Sequence, residues 1–403
     1  MKSSHPLMLP ALVLGLSLVS TAALAQKKYD TGASDTEILV GNTAPYSGPA
    51  SAYQIIATSM AAYFDKVNAE GGINGRKIKF ISLDDGYSPP KTVEQTRKLV
   101  EQEKVLFMSG SIGTGPQLAV QKYMNSNKVP QLFVGSGQSR FSQPKQYPWS
   151  MGFNPNYATE GLAIGRYIAT TKPDAKIAVI VPSDDAGKDY MRGFKEGVAN
   201  SKRAQIVAEA TYSTTDATID SQLTAFKAAG ADTFFNECTP KFAAQGIAKA
   251  YDMGWKPMMI LPTVSSSIAS VIKPAGVEKA VGVVAPAYLK DPSSKEWEND
   301  KAMQAWRVWM AKYNSKVNPN DPLAVQGYVV AELTLEVIKR AGDNLTRANI
   351  MKQASSLKDL QLSLLQPGVR INTTPDDYRI IRKFRFQRFD GSSWQLFGSL
   401  VGD

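Results

Sequence analysis

The sequence predicts an α/β protein of two lobes, each with a parallel sheet flanked by helices. Short apolar, β-rich runs alternate with amphipathic helical patterns along most of the chain. Strands this apolar are typical of parallel sheets that helices cover on both faces. The chain has 403 residues, which is more than one hydrophobic core usually supports, and two domains are therefore expected.

Residues 1–25 predict a secretory signal peptide. Lys2 supplies a positive charge before a mostly apolar run, and Ala23-Leu24-Ala25 has the small-x-small pattern that a signal peptidase needs. The alternative is a retained membrane anchor, but the apolar run is short and contains a proline. We expect cleavage before Gln26. No later segment has about 18 consecutive apolar residues, so we do not expect the mature chain to be embedded in a membrane.

The first round of alternation covers about residues 36–155. Gly71-Gly72 is a stop signal for its first helix, and Pro89-Pro90 is a start signal for its second. The predicted strands are 38–42, 78–83, 105–108 and 131–134, and the predicted helices are 51–69, 89–102 and 115–125.

A second round with the same pattern covers about residues 156–285. The predicted strands are 177–181, 206–211, 233–235, 258–261 and 281–285, and the predicted helices are 157–170, 187–200, 221–229 and 241–253. Helical patterns follow at 296–314, 323–341 and 346–356, before a C-terminal hairpin with Asp390-Gly391 at its turn. We expect these late elements to return to the two lobes in turn. Lobe 1 would comprise 36–156 and 287–360, and lobe 2 would comprise 157–286 and 361–403.

The composition argues against several classes of enzyme. The only histidine, His5, lies in the predicted signal peptide, which leaves the mature chain without the commonest general base and metal ligand. We therefore expect no metal, no cofactor and no imidazole-dependent catalysis. The only cysteine, Cys238, cannot form an internal disulfide, and its flanking sequence TFFNECTP predicts a buried core thiol rather than a reactive one.

The formal net charge of +10 is scattered over the chain, except in the run RIIRKFRFQR at residues 379–388. Cations mixed with aromatic residues occur in nucleic-acid readers. The alternative is one strand of the terminal hairpin with a solvated face. Export of the protein argues against a nucleic-acid partner, so we favour the hairpin.

Three loops of small and hydroxyl-bearing residues follow predicted strands. They are Pro45–Pro49 with Tyr53 close behind, Ser109–Gly115, and Gly135–Ser139. In open parallel sheets, ligands bind beyond the carboxyl ends of strands, where helix N-termini offer free amides to an anion. These loops predict a site for a carboxylate. The alternative is that their glycines only make tight strand-to-helix turns.

Phosphate-binding motifs are incomplete. Neither glycine loop completes G-x-G-x-x-G, and Gly187-Lys188 is followed by Asp189 rather than a hydroxyl residue. The acid pairs Asp84-Asp85 and Asp184-Asp185 could serve a glycosidase, but they lie in turns where aspartate usually caps a helix. Aromatic residues that could line an apolar pocket or pack in the core are Tyr53, Tyr87, Trp149, Phe153 and Tyr157.

Several segments resemble the periplasmic binding proteins of branched-chain amino acid ABC importers. The N-terminal motifs are ILVGNTAPYSGPASAY and AAYFDKVNAEGGINGRKIKFISLDDGYSPPKTVEQTRKLV, and the second-lobe motifs are KPDAKIAVIVPSDDAGKDYMRGFKEGV and FAAQGIAKAYDMGW. The resemblance covers essentially the whole mature chain. It implies the leucine-binding-protein-like, type I periplasmic binding fold: two lobes joined by three crossovers, which close on a ligand at a hinge without catalysing a reaction.

The resemblance also implies roles for individual residues. Tyr53 matches the aromatic residue that packs on the ligand, and Tyr157 is expected to pack there too. Two loops match those that bind the ligand carboxylate: Gly113, Thr114 and Gly115 in one, and Ser136, Gly137 and Gln138 in the other.

The chain departs from the family where acidic side chains hold a ligand ammonium. Tyr157 and Thr263 occupy those positions, and neither supplies the charge that a buried ammonium needs. Glu237, at the end of a predicted strand, is the substitute within reach of the cleft. Because relatives with similar sequences bind aromatic acids, and others amides or urea, the ligand class stays open among a hydrophobic amino acid, an aromatic acid and an amide.

The expected function is solute binding in the periplasm. The chain would capture a small, carboxylate-bearing, largely apolar ligand and deliver it to the permease subunits of an ABC importer. One alternative is a ligand sensor of the same fold that signals to a membrane receptor. The other is a secreted hydrolase that uses carboxylates.

Overall fold

The computed structural model describes residues 27–402, so the predicted signal peptide lies outside the described residues. The described chain contains two large sheets and passes between them three times. The first crossing follows Gly152, the second follows Ala287, and the third precedes Lys383. The predicted two-lobed α/β architecture with three crossovers is therefore confirmed.

The first lobe begins with alternating strands and helices. They are β1 (Lys28–Tyr29), β2 (Glu37–Ala44), α1 (Gln54–Ala69), β3 (Lys77–Asp84), α2 (Pro89–Arg97), β4 (Phe107–Ser109), α3 (Thr114–Ser126), β5 (Gln131–Val134) and β6 (Ser150–Gly152). The order in the sheet is β3-β2-β4-β5-β6, with every pair parallel. The sequence predicted each of these strands except β1 and β6, which are too short to show a periodic pattern.

The second lobe continues the alternation. Its elements are α4 (Tyr157–Thr171), β7 (Lys176–Pro182), α5 (Asp185–Val198), β8 (Gln205–Tyr212), α6 (Asp220–Ala228), β9 (Thr233–Asn236), α7 (Pro240–Asp252), β10 (Met258–Ile260), α8 (Lys273–Ala275) and β11 (Val284–Ala287). Phe234 packs in the core on one side of the sheet and Phe235 in the core on the other. This alternation explains why the strand is apolar throughout: helices cover both faces.

The last elements complete both lobes. They are α9 (Lys301–Tyr313), α10 (Pro322–Ala341), β12 (Asn344–Leu345), α11 (Arg347–Ala354), β13 (Lys383–Phe389) and β14 (Trp394–Gly402). Helices α9, α10 and α11 contribute buried side chains to the first-lobe core, and β12 pairs with β1. In the second lobe, β13 joins β11 and β14 joins β13, both antiparallel, which gives the sheet order β14-β13-β11-β10-β9-β7-β8.

The return to the second lobe comes later than the sequence predicts. Side chains from Leu362 to Ile381 are buried in the first-lobe core, and the second-lobe sheet is rejoined at Lys383. Segment 361–381 has short apolar stretches without a clear period, so the sequence offers no sign of which core buries them. We propose that the lobe boundary predicted at residue 361 lies at about residue 382.

The structure favours the hairpin interpretation of the basic run. Strand β13 contains most of it, and the Arg388 guanidinium lies over the Phe397 ring of β14, 5.2 Å from the ring centre. Asp390 accepts hydrogen bonds from the Ser392 and Ser393 amides at the turn. Cys238 is buried in the second-lobe core, where burial raises the pKa of its thiol.

Glycines hold α4 and α5 unusually close together. A methyl group at Gly193 would lie 1.8 Å from the Ala158 carbonyl oxygen, and one at Gly161 would lie 2.4 Å from the Tyr190 carbonyl oxygen. Backbone atoms cannot yield as the end of a flexible side chain does, so these positions have no room for a side chain. The contact fixes the start of α4, which carries Tyr157.

We expect Gly193→Ala to destabilise the protein by about 1–3 kcal/mol, the usual cost of overpacking. The measurement is the free energy of urea unfolding. Gly115→Ala is the matched control, since this helical glycine has its nearest atom, Pro89 Cγ, at an ordinary 3.8 Å. Equal stabilities for the two variants would contradict the close packing.

Candidate ligand-binding site

The carboxyl ends of the parallel strands of the two sheets meet at a cleft between the lobes. The cleft contains roughly 580 Å³ of space free of protein atoms, part of it open to solvent. Its wall is formed by Tyr53, Ile56, Tyr87, Ile112, Gly113, Thr114, Gly135, Asn154, Tyr157, Pro182, Asp184, Ala186, Thr214, Glu237, Thr239, Val264 and Gln326.

The first lobe contributes hydroxyl groups and a helix N-terminus. Gly113 adopts a φ of 103° at the N-cap of α3, a conformation that L side chains rarely adopt. The next residue, Thr114, hydrogen-bonds the Ser136 hydroxyl at 2.7 Å. The first amides of α3 have no partner within the helix. A carboxylate placed here would receive hydroxyl and amide donors and the favourable end of the helix dipole.

Aromatic rings line the cleft from both lobes. The Tyr53 and Tyr87 ring centres are 6.5 Å apart, and Tyr157 stacks on Tyr190 at 4.4 Å. The Tyr53 hydroxyl donates to the Val264 carbonyl of the second lobe at 3.2 Å. Burial raises the pKa of Tyr53 and Tyr157, so both rings are neutral.

The second lobe contributes two carboxyl groups to the wall. Asp184 is the N-cap of α5 and accepts hydrogen bonds from the Ala186 and Gly187 amides, as predicted for the second acid pair. Glu237 follows β9, is 3% exposed, and has an Oε2 atom without a hydrogen-bond partner in the described part of the chain. Burial, reinforced by Asp184 and Glu160, raises the pKa of Glu237 well above its ordinary value.

Positive charge is missing from this wall. Of the described residues, neither a lysine nor an arginine lines the cleft. A buried carboxylate is stable only with a charge partner or several hydrogen bonds. The cleft therefore has donors for an anion on the first lobe and an unpaired acid on the second.

Five of the predicted site residues line the cleft: Tyr53, Gly113, Thr114, Tyr157 and Glu237. Ser136 lies directly behind Thr114. The other four stand outside the wall. Gly115 is inside the first turn of α3, the Gln138 carboxamide accepts from the Arg140 amide, and Gly137 packs against Pro155 and Tyr157.

Thr263 is the fourth residue outside the wall. Its amide and hydroxyl donate to Glu160 at 2.7 and 2.9 Å, so both of its donors are used within the second lobe. Glu160 is fully buried, and burial raises its pKa to about 7. Ligand contact by Thr263 and by the three residues above stays a prediction.

Sequence reasoning missed several residues of the wall. Thr214 and Thr239 follow β8 and β9, and their positions after strand ends could have indicated them. Gln326 lies within α10 and donates to Asn154 at 2.9 Å. Nothing local distinguishes this glutamine from any other, because a distant crossover brings α10 to the cleft.

Comparisons with known proteins establish the family. A family model described as "Periplasmic binding protein" matches residues 37–393. The chain belongs to the periplasmic binding protein family. Among curated relatives, the Leu/Ile/Val-binding protein homolog 1 of Brucella suis is 25% identical over 289 residues, which are 70% of this chain and 75% of that protein. The leucine-binding-protein-like resemblance stated from the sequence is confirmed.

Solved structures share this fold. A branched chain amino acid ABC transporter protein from Thermus thermophilus with bound valine has a TM-score of 0.81 at 17% identity, covering 92% of this chain and 97% of that one. A solute binding protein from R. palustris in complex with benzoate has a TM-score of 0.76 at 21% identity, covering 91% and 98%. Within residues 27–402, none of the helices has the length and apolar character needed to cross a membrane.

Glu160 makes the stability of the ligand-free protein depend on pH. Its pKa is about 7 in the folded state against 4.5 for the ordinary side chain. Because the folded protein holds this proton more tightly than the unfolded chain, raising the pH from about 4.5 to about 7 lowers the free energy of unfolding. The loss is complete above about pH 7 and absent below about pH 4.5. We expect Glu160→Gln to remove on the order of 1–3 kcal/mol of the stability gained between about pH 7.5 and pH 5.

The measurement is urea unfolding at the two pH values. Glu196→Gln, on the exposed face of α5, is the matched control and should keep the full pH dependence. If Glu160→Gln also kept the full pH dependence of stability, the Glu160 carboxyl would not titrate between these pH values.

Proposed function

We propose that this protein is the periplasmic solute-binding component of an ABC importer, and that its ligand is a hydrophobic α-amino acid. The observation that carries the ligand class is the unpaired, buried Glu237 opposite the hydroxyl and amide donors around Thr114. An α-amino acid carries a carboxylate and an ammonium on adjacent atoms. It supplies a partner for both walls of the cleft at once.

An aromatic acid fits this charge pattern less well. It would satisfy the donors of the first lobe, as benzoate would, but it would leave Glu237 without a partner beside Asp184. Removing the carboxylate of the ligand and the charge of Glu237 from water is favourable only when each of them has a good partner. The aromatic rings around the cleft suit the apolar part of either ligand and do not distinguish them. The preference for an amino acid over an aromatic acid therefore rests on Glu237.

Closure of the hinge would complete the site. Tyr53 belongs to the first lobe and Val264 to the second, and their hydrogen bond exists only while the lobes are together. A ligand that contacts both lobes binds the closed form better, and it shifts the population towards closure by its difference in affinity for the two forms. The permease would then recognise the closed pair of lobes.

Thr114→Val tests the carboxylate end of the site. We expect weaker binding of leucine by about 1–3 kcal/mol, because the variant loses a donor to a charged group while keeping its shape. Isothermal titration measures the dissociation constant. Thr170→Val, on the exposed face of α4, is the isosteric control and should bind leucine normally. Unchanged affinity in Thr114→Val would mean that this loop is only a turn.

Glu237→Gln tests the ammonium end and separates the two ligand classes. We expect the wild type to bind leucine, valine or phenylalanine more tightly than benzoate. The variant should lose on the order of 2–4 kcal/mol of amino-acid affinity, since it breaks a buried charge pair, and should bind benzoate no worse than before. Glu196→Gln is the control. Benzoate binding that exceeds leucine binding in the wild type would overturn the amino-acid proposal and favour an aromatic acid.

A further inference from the structure

A second cavity adjoins the cleft at the hinge, and we call it the hinge chamber. It shares Val264 and Gln326 with the cleft wall. The rest of its wall combines loops after β10, β11 and the first turn of α10. These residues are Thr263, Ser266, Ser267, Pro286, Ala287, Tyr288, Leu289, Asp291, Pro322, Leu323 and Gln387.

Two buried polar side chains of the hinge chamber have unused hydrogen-bonding capacity. Asp291 is 6% exposed, and its Oδ1 accepts from the Ser293 amide at 2.8 Å and from the Ser293 hydroxyl. Its Oδ2 receives no donor from the described residues. Gln387 is 3% exposed, and its carboxamide makes no hydrogen bond within the same part of the chain. Both side chains could therefore receive a donor group from a molecule in the chamber.

The charge of the hinge chamber favours a donor rather than an acceptor. Asp291 is accompanied by Asp321, which accepts hydrogen bonds from the Ser267 and Ser270 hydroxyls at 3.0 and 2.9 Å. Among the described residues that line the chamber, none is a lysine or an arginine. The nearby Lys290 pairs with Asp300 at 2.8 Å. An ammonium, guanidinium, amide or hydroxyl group would be stabilised here, and a carboxylate would be repelled.

The distance from the cleft suits one ligand that occupies both cavities. Glu237 follows β9 and Tyr288 follows β11, with β10 between them in the sheet. Neighbouring strands lie about 4.8 Å apart, so these two strand ends are about 10 Å apart. The recognising groups lie beyond that strand end, because Asp291 is three residues past Tyr288 and Gln387 is in β13, which pairs with β11. A leucine side chain is too short to reach them from an ammonium at Glu237, whereas a longer unbranched chain with a terminal donor extends towards them.

We propose that the ligand passes between Val264 and Gln326, and that Asp291 and Gln387 bind a hydrogen-bond donor at its far end. This inference rests on the α-amino-acid part of the proposed function and departs from it in the side chain, which would be polar at its end rather than hydrophobic throughout. The ligand would be an α-amino acid with an extended apolar chain that ends in an ammonium or another donor. Val264 and Gln326 then select for ligands slender enough to pass.

Matched ligands test the proposal. Lysine and 2-aminoheptanoate have side chains of the same length and differ in a terminal ammonium or methyl group. We expect the wild type to bind lysine at least about tenfold more tightly than 2-aminoheptanoate in isothermal titration. Asp291→Asn and Gln387→Leu should each reduce that ratio about fivefold or more. Gln205→Leu, at the exposed start of β8, should leave the ratio unchanged.

A wild-type ratio of one or less overturns the proposal, and so does a ratio that both variants leave intact. Circular dichroism and melting curves check that the variants fold. Because the two substitutions are at separate positions, the test still works if one of the variants fails to fold. Leucine separates the two levels of inference. If leucine binds and lysine has no advantage, the amino-acid cleft stands and the role of the hinge chamber falls. If none of the three amino acids binds, the proposed function falls with it.

Discussion

The buried acids at the carboxyl edge of the second-lobe sheet determine what this cleft can hold. Glu237, Asp184 and Glu160 lie close enough for Asp184 and Glu160 both to raise the pKa of Glu237. Asp184 accepts two backbone amides at Oδ1 and Glu160 accepts from Thr263 at both oxygens, but the buried Oε2 of Glu237 has no partner among the described residues. No lysine or arginine lines the cleft within the described residues, and in the proposed function the ammonium of the ligand would be the partner of Glu237.

The same requirement couples binding to closure. Contacts between the lobes occur on several sides of the cleft. The Ser139 amide of the first lobe donates to Asp189 of α5 at 2.6 Å, and Asp321 of the first lobe receives Ser267 and Ser270 of the second. Each contact is modest alone, since a protein hydrogen bond contributes about 1 kcal/mol net. A ligand that contacts Glu237 on one lobe and the Thr114 loop on the other would bind the closed form better, so ligand affinity and the closed population would rise together.

Local patterns predicted the fold well because each strand and helix carries its own signal. The apolar run of β9 and the glycine and proline signals around α1 and α2 depend only on neighbouring residues. The site was harder to predict. Thr114 and Tyr53 follow strand ends, where the parallel topology points to a ligand. Glu160 and Gln326 lie within helices, and only the tertiary arrangement brings Glu160 to Thr263 and Gln326 to the cleft.

Thr263 shows why a matched position does not transfer a role. A substitution at one position changes the surroundings of its neighbours, and here Thr263 donates both of its hydrogen bonds to Glu160. Glu160 is an acid of the second lobe, but its oxygens are used within the lobe and it is not part of the cleft wall. Glu237 lies one strand away and has the free oxygen. In the proposed function, Glu237 at the end of β9 takes the role that the resemblance assigns to the position of Thr263 after β10, and an extended ligand would lie across several strand ends. The adjoining hinge chamber, at the end of β11, is where an extended ligand in that position would reach.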